Sequence, residues 1–188
     1  MRHRDAVDET IERLARRLAE EKIPYALIGA MAMAMHGEWR FTQDVDVLTT
    51  REGLDAIHER LVGRGYMPSF PGSRKSLRDT TSKVAIDFIM AGEYPGDSLA
   101  KPVSFPDPDA ASVDIDGVRV ISLAKLIELK LTSGLTGKGR KKDIVDVETI
   151  IARIKPPREL GDQLDPSIRD TFYQMWDDEQ NATGPDRE

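Results

Sequence analysis

Two aspartates that alternate with aliphatic residues constrain the fold of this chain more than any other feature. The segment Asp44-Val45-Asp46-Val47-Leu48 has the period of two that is typical of a β-strand, which places both carboxylates on one face. Aspartate is poorly suited to strands, and two carboxylates about 4 Å apart repel each other by roughly 4 kcal/mol at an effective dielectric constant of 20. A divalent cation reverses this repulsion. The alternative interpretation, an exposed face of an edge strand, leaves the repulsion uncompensated.

A third aspartate lies in the middle of a later apolar strand. Asp87 is flanked by Ile86 and Phe88 within a strand predicted over residues 83–90. A lone carboxylate there is costly unless it is bound by a metal ion, by backbone donors or by an arginine. If the two strands are neighbours, the three carboxylates converge. Oxygen ligands of this kind suit Mg²⁺ or Mn²⁺, and such a metal clamps a triphosphate during phosphoryl transfer.

A glycine turn precedes the acidic strand. A predicted strand over residues 25–28 runs into Gly29-Ala30, and the Ala/Met-rich residues up to Met35 favour a helix. A residue without a side chain lets the backbone approach a ligand, and the N–H groups that open a helix can bind a phosphate. Gly29 can equally be a plain strand-to-helix turn. Strand, turn, helix and acidic strand together are typical of a phosphoryl-transfer site.

Rival chemistries fit these residues less well. A phosphatase of the aspartyl-phosphate kind places its acids after an apolar strand, whereas Arg-Phe-Thr-Gln precedes Asp44. A metal nuclease would have an acid-x-Lys pattern after Asp87, where Phe88-Ile89 follow. No P-loop or Rossmann glycine pattern is present. The sequence has no cysteine, which excludes thiolate metal sites and a cysteine nucleophile.

Composition indicates a cytoplasmic protein. The 188 residues suffice for one domain with a sizeable core, with or without a helical appendage. No apolar run approaches the roughly 20 residues that span a bilayer, and the first residues lack the apolar segment of a secretory signal. We therefore expect no membrane partner. Residues 158–188 hold nine acidic and three basic residues and account for the whole net charge of −6, which predicts a solvated acidic tail.

Periodicity and turn residues predict the remaining elements of an α+β protein. The expected arrangement is a small mixed β-sheet with flanking helices and a C-terminal helical segment. A surface loop is expected over residues 93–109. We divide the chain into an N-terminal helix (1–22), a core (23–122), a C-terminal helical segment (123–157) and the acidic tail (158–188). The other predicted elements are helices over 5–22, 50–64, 122–133 (ended by Gly134), 140–153 and 166–178, strands over 74–80 and 83–90, and a hairpin over 113–121.

These residues resemble the nucleotidyltransferase superfamily typified by DNA polymerase beta. Its signature is a Gly-Gly or Gly-Ser turn, then an acid-x-acid strand, then a third acid on a later strand. A wider set looks like the minimal nucleotidyltransferases of the AbiEii-toxin type, and the resemblance covers roughly residues 23–152. That set comprises Gly29-Ala30, His36-Gly37, Arg40, Thr42, Asp44 and Asp46, and later residues 123–130 with Arg140, Lys142, Asp143 and Asp146.

The resemblance implies an enzyme that transfers a nucleoside monophosphate from a nucleoside triphosphate to an acceptor hydroxyl. Asp44, Asp46 and Asp87 would bind the metal, and Asp87 would also act as general base. Lys130 would contact the triphosphate as a point charge. The acceptor can be an RNA end, a protein or a small molecule such as an aminoglycoside, and a toxin–antitoxin partner fits this type of domain. The other substrate contacts implied are Gly29, Ala30, Arg40, Thr42 and Asp143.

A catalytically inactive module that binds a nucleotide or a partner is the alternative function. Ala30 stands where the family has Ser or Gly, so a hydroxyl contact to phosphate is lost. The intact acids argue against this alternative, since an inactive protein has no need to tolerate their repulsion. Structural roles also stay open for several residues. Arg40 and Thr42 can steady the acidic strand, Lys130 can be solvated, and Asp143 and Asp146 can pair with nearby bases or orient Lys130.

Overall fold

The computed structural model describes residues 2–39 and 42–183, which belong to two compact units. The first, called the sheet unit, is drawn from residues 1–35, 39–93 and 105–122. The second, called the helical unit, is drawn from residues 36–38, 94–104 and 123–188. The predicted domain boundaries remain predictions.

The sheet unit is built on a seven-stranded mixed sheet with the strand order β3-β4-β5-β2-β1-β7-β6. The central strands β5 and β2 are parallel, β2 and β1 are antiparallel, and β1 and β7 are parallel. This arrangement confirms the predicted α+β class with a mixed sheet. The strands are β1 (Tyr25–Leu27), β2 (Asp44–Thr49), β3 (Tyr66–Pro68), β4 (Ser76–Asp79), β5 (Ala85–Met90), β6 (Ser112–Ile115) and β7 (Val118–Ile121).

Four helices accompany the sheet. The apolar stripe of the first includes Leu14 and Leu18, both fully buried, and the inward residues of β2, Val45 and Val47, are buried as well. Thr50 caps the third helix, where its hydroxyl accepts the Gly53 N–H at 3.0 Å. The helices are α1 (Arg2–Glu20), α2 (Gly29–Met35), α3 (Arg51–Arg60) and α4 (Pro108–Ala111), the last of which begins at the end of the predicted surface loop.

One prediction around α3 was wrong. The helix was expected to reach residue 64, but it ends at Arg60, where the Leu61 N–H bonds to the Ile57 carbonyl. The chain then turns at Gly63, whose φ is +80°, and whose N–H donates to the carbonyl of Tyr66 at 2.8 Å. This turn leads into β3, a strand that the sequence analysis missed. A three-residue edge strand is too short to show a periodicity.

The helical unit contains α5 (Leu123–Thr136), α6 (Lys141–Ile154), a 3-10 helix (Arg158–Gln163) and α7 (Pro166–Thr183). The prediction that Gly134 ends α5 was wrong, because the helix continues for two further residues. A Cβ at Gly134 would lie 2.5 Å from Cδ1 of Ile144 on α6. Gly134 is therefore a close-packing residue between two helices. Among the described helices, none has both the length and the apolarity needed to cross a membrane.

The acidic C-terminal residues form structure as far as residue 183. Leu160, Leu164, Ile168 and Phe172 are buried, so this stretch packs an apolar face within the helical unit. The indole Nε1 of Trp176 donates to the carbonyl of Pro156 at 3.0 Å. Residues 158–183 therefore carry their negative charge on the outer side of packed helices, while residues 184–188 lie outside the described part of the chain.

Asp79 fixes the turn between β4 and β5. Its carboxylate, only 2% exposed as a residue, accepts the N–H groups of Thr81 and Ser82 at 2.7 and 3.1 Å. Arg13 adds two contacts, from Nε at 3.2 Å and from Nη2 at 3.0 Å. Burial opposes the charged form, but the backbone donors and Arg13 outweigh it and lower the pKa of Asp79 below its usual value.

Asp79→Asn should destabilise the sheet unit by about 2 kcal/mol at pH 7, since it weakens a nearly buried ion pair. The folded pKa lies below the unfolded value of about 3.9, so the stabilisation is present above that value and is lost as pH falls through the folded pKa. Urea denaturation at pH 7 and pH 3 measures this. The difference in the free energy of unfolding between wild type and variant should be smaller at pH 3 than at pH 7, whereas the exposed control Asp170→Asn should unfold like the wild type at both pH values. An equal gap at both pH values would contradict the assignment.

Candidate metal and phosphate site

The three predicted acids stand on one face of two neighbouring strands. In the parallel pairing of β2 with β5, Asp46 is opposite Asp87 and Asp44 is opposite Ala85. Paired residues point to the same side of a sheet, and so do residues two apart on one strand. Asp44, Asp46 and Asp87 therefore share a face, and we call them the acid row.

The members of the acid row have different surroundings. Asp44 is exposed, and the hydroxyl of Thr42 donates to its Oδ1 at 2.7 Å. Asp46 and Asp87 are half-buried. Within residues 2–39 and 42–183, no hydrogen bond or ion pair reaches the carboxylate of Asp87. Asp87 is thus a carboxylate of the sheet that faces another carboxylate in register and has free acceptor capacity.

Gly29 lies directly against the acid row. The Ile28 N–H bonds to the carbonyl of Asp46 at 3.0 Å, and the chain turns at Gly29 with φ +65°. A Cβ at Gly29 would lie 2.2 Å from Oδ2 of Asp46. The glycine is required both by its left-handed conformation and by the carboxylate in contact with it. Ala30 follows as the second residue of α2 and is half-buried.

Gly29→Ala should destabilise the protein by about 3 kcal/mol, because it adds a clash with Asp46 to the strain of a positive φ. Gly63→Ala is the matched control, since Gly63 also has a positive φ (+80°), but a methyl group added there would have no neighbouring atom within 4 Å. The control substitution should lower the free energy of unfolding by about 1 kcal/mol, from backbone strain alone. Urea denaturation of both variants measures the difference, and equal losses would contradict a rigid contact, since they would show that the Asp46 side chain moves away from the added methyl group.

The acid row fits a divalent metal by its chemistry. Carboxylate oxygens are the ligands that Mg²⁺ and Mn²⁺ prefer, and a cation would relieve the repulsion between Asp46 and Asp87. As the side chains stand, no group of three or more His, Asp or Glu residues in the described ranges is arranged so that it could hold a metal ion. Asp44 accepts the hydroxyl of Thr42 at one carboxylate oxygen. Metal binding by these residues stays a prediction.

Lys130 is held by two aspartates inside the helical unit. Its Nζ lies 2.6 Å from Oδ2 of Asp146 and 3.4 Å from Oδ1 of Asp143, and the residue is 8% exposed. Ser133 donates to the other oxygen of Asp143 at 2.7 Å, and Arg140 Nε lies 3.4 Å from the same oxygen. The alternative that the side chain of Lys130 is solvated is therefore wrong. Asp143 and Asp146 orient Lys130, and Asp143 pairs with Arg140 as well.

The remaining predicted contacts are divided between the units. Gly29, Ala30 and Thr42 accompany the acid row in the sheet unit, whereas Lys130 and Asp143 belong to the helical unit. Arg40 lies outside the described residues.

Ser76, which was not predicted from the sequence, extends the row by one strand. Ser76 on β4 is opposite Asp87 in the antiparallel pairing of β4 with β5. This register depends on the conformation of the turn at residues 80–84, where Lys83 has φ +65°. Nothing in the spacing of the sequence reveals it.

Solved structures share this architecture. A candidate nucleotidyltransferase from Thermotoga maritima is 17% identical with a TM-score of 0.56, and the match covers 76% of this chain and 91% of that chain. An antigenic nucleotidyltransferase-like protein from Paracoccidioides brasiliensis is 16% identical with a TM-score of 0.50, over 78% of this chain and 76% of that chain. The chain has a nucleotidyltransferase-like fold.

A third structure with the nucleotidyltransferase-like fold is ANT(2'')-Ia in complex with adenylyl-2''-tobramycin. It is 12% identical with a TM-score of 0.51, and the match covers 93% of this chain and 97% of that chain. No protein-family model and no curated protein sequence matches the chain. At these low identities the likeness establishes the fold alone.

Proposed function

We propose that this protein is a metal-dependent nucleotidyltransferase, which transfers a nucleoside monophosphate from a nucleoside triphosphate to an acceptor hydroxyl. The observation that carries the proposal is the pairing of Asp46 with Asp87 in register, with Asp44 on the same face and Gly29 in contact with Asp46. The nucleotidyltransferase-like fold supports it.

The acid row performs two tasks in this reaction. Asp44 and Asp46, with Asp87, would hold Mg²⁺ or Mn²⁺, which when bound neutralises charge on the triphosphate. Asp87 also accepts the proton of the acceptor hydroxyl, since its carboxylate has no other partner among the described residues. The hydroxyl oxygen then bonds to the α-phosphorus, the bond from that phosphorus to the bridging oxygen breaks, and pyrophosphate leaves.

Neighbouring residues position these groups. Thr42 orients Asp44 through its hydroxyl, and Gly29 keeps the backbone beside Asp46 free of side-chain atoms. Ala30 lacks a hydroxyl, so it can contact the triphosphate only through its backbone. The roles of Arg40, Lys130 and Asp143 toward the substrate stay predictions.

The acceptor is an RNA end, a protein or a small molecule. The structure of ANT(2'')-Ia holds an adenylylated aminoglycoside, so a small-molecule acceptor is compatible with this fold. A cytoplasmic location and a toxin–antitoxin partner follow from the composition and from the resemblance to AbiEii-type proteins, and both are part of the proposal.

The test is transfer of label from each α-labelled nucleoside triphosphate, with Mg²⁺, into cellular RNA, protein and small-molecule fractions. The control is the Asp44→Ala/Asp46→Ala double variant. Label that enters one fraction and is absent with the variant would support the proposal and identify the acceptor class. Binding of a triphosphate without any transfer would contradict it and favour an inactive binding module.

A further inference from the structure

An open pocket borders the acid row on the side away from Gly29. Its volume is about 520 Å³, within the roughly 300–1,000 Å³ of small-molecule sites. Asp87 lines it together with Ser76, its partner in register on β4. The strand order β4-β5-β2-β1 places Asp87 and Asp46 between this pocket and Gly29, which follows β1. Two ligands could therefore reach the acid row from opposite sides.

Phe70 provides the pocket with a flat apolar wall. The residue is 61% exposed, which is unusual for a large aromatic side chain in a chain whose other apolar residues are mostly buried. An exposed ring beside a polar site can stack on a base or on another flat ring, and such stacking tolerates different bases.

Arg74 and Lys75 provide the pocket with positive charge. Arg74 Nη2 lies 2.5 Å from Oδ1 of Asp55, and Lys75 pairs with Glu93. All four side chains are between 44% and 66% exposed, and exposed ion pairs of this kind contribute little to stability. A phosphate group can therefore replace Asp55 and Glu93 as their partner, with bidentate geometry at the guanidinium.

We propose that this pocket binds the acceptor, and that the acceptor carries a phosphate beside a flat ring, as a nucleoside phosphate does. The inference rests on the proposed function, because it assigns the acceptor side of the same acid row. Phe70 stacks on the ring, Arg74 and Lys75 bind the phosphate, and the sugar hydroxyl gives its proton to Asp87 as its oxygen attacks the α-phosphorus. A polycationic acceptor such as an aminoglycoside has no anionic group with which Arg74 and Lys75 could pair.

Direct binding tests the pocket without requiring catalysis. Adenosine 5'-monophosphate, the RNA dinucleotide ApA, adenosine and tobramycin are titrated into the full-length protein by calorimetry. Each titration is made with and without α,β-methylene-ATP, which occupies the triphosphate side. We expect adenosine 5'-monophosphate to bind at least about 10-fold more tightly than adenosine, and to lose affinity as salt rises. A further gain of about 10-fold with ApA would assign the acceptor to an RNA end, and equal affinity would assign it to a free nucleotide.

Variants of the pocket locate the binding. The affinity for adenosine 5'-monophosphate should fall by about 10-fold in Phe70→Ala and by about 10-fold in the Arg74→Gln/Lys75→Gln double variant. The matched controls are Met67→Ala, which removes another exposed apolar side chain, and Arg64→Gln, which removes another exposed charge. Neither control residue lines the pocket, and both variants should bind as the wild type does.

The outcomes separate this inference from the proposed function. Three results would overturn the inference even if label transfer occurs. The pocket variants could bind adenosine 5'-monophosphate as tightly as the wild type does. The wild type could bind adenosine as tightly as its phosphate, or could bind tobramycin more tightly than the nucleotide. Pocket-dependent binding in a protein that transfers no label would support phosphate recognition here and contradict the proposed function.

Discussion

Asp87→Asn is expected to reduce nucleotidyl transfer by about 10²–10⁴-fold, because asparagine cannot accept the proton of the acceptor hydroxyl. The substitution keeps the size of the side chain, so the strands β2 and β5 should stay paired. Label transfer from the preferred triphosphate, measured under single-turnover conditions, gives the loss. Asp170→Asn, on the exposed surface of α7, is the matched control and should transfer label at the rate of the wild type.

The same variant has a second signature that an ordinary structural aspartate would not show. Without metal, Asp87→Asn should raise the free energy of unfolding by about 0.5–1 kcal/mol, since it removes one of two like charges that face each other in register. Urea denaturation in a chelator measures this. Addition of Mg²⁺ should stabilise the wild type more than the variant. A variant that is less stable than the wild type in the chelator would contradict the assignment of Asp87 as an uncompensated member of the acid row.

Lys130→Met should destabilise the helical unit by about 3 kcal/mol or more. The substitution removes the ammonium group that lies 2.6 Å from Oδ2 of Asp146, a residue that is 6% exposed, and the loss of one partner of a buried ion pair is costly. Urea denaturation at pH 7 measures the loss. Lys138→Met, on the exposed loop before α6, should change stability by less than about 0.5 kcal/mol.

A double variant tests whether the loss at Lys130 comes from the buried charge. Lys130→Met/Asp146→Leu removes both charges and should recover part of the stability, because an apolar pair of similar volume can replace a buried ion pair. A double variant that is less stable than Lys130→Met would contradict this explanation. Since Lys130→Met weakens the fold, its transfer activity is informative only at a temperature where the variant is fully folded.

The two strands that carry the aspartates, β2 and β5, could be predicted from the sequence because their residue patterns are local. Alternation of acid and aliphatic residues defines β2, and flanking Ile86 and Phe88 define β5, so both strands and the face of each aspartate follow from a period of two. The glycine turn could be predicted for a similar reason. Its contact with Asp46 could not, because that contact depends on how β1 and β2 pair.

Features that depend on strand pairing or on helix packing could not be predicted from the sequence. The alignment of Ser76 with Asp87 comes from a turn conformation, and the role of Gly134 comes from the approach of Ile144 on another helix. Charge dominates the composition after Arg158 and predicts a solvated acidic tail, although periodicity predicts a helix over residues 166–178. That helix is present as α7, and Phe172 on it is fully buried. Charge content describes the outer face of a helix and leaves its inner face undetermined.

The proposed function requires the acid row to hold a divalent metal together with a nucleoside triphosphate. The most direct measurement is a Mn²⁺ titration, followed by electron paramagnetic resonance, of the wild type and of Asp46→Asn in the presence of α,β-methylene-ATP. We expect a nucleotide-dependent Mn²⁺ site in the wild type and a loss of Mn²⁺ affinity of at least about 10-fold in the variant. Equal Mn²⁺ binding by both proteins, or none by the wild type, would contradict it.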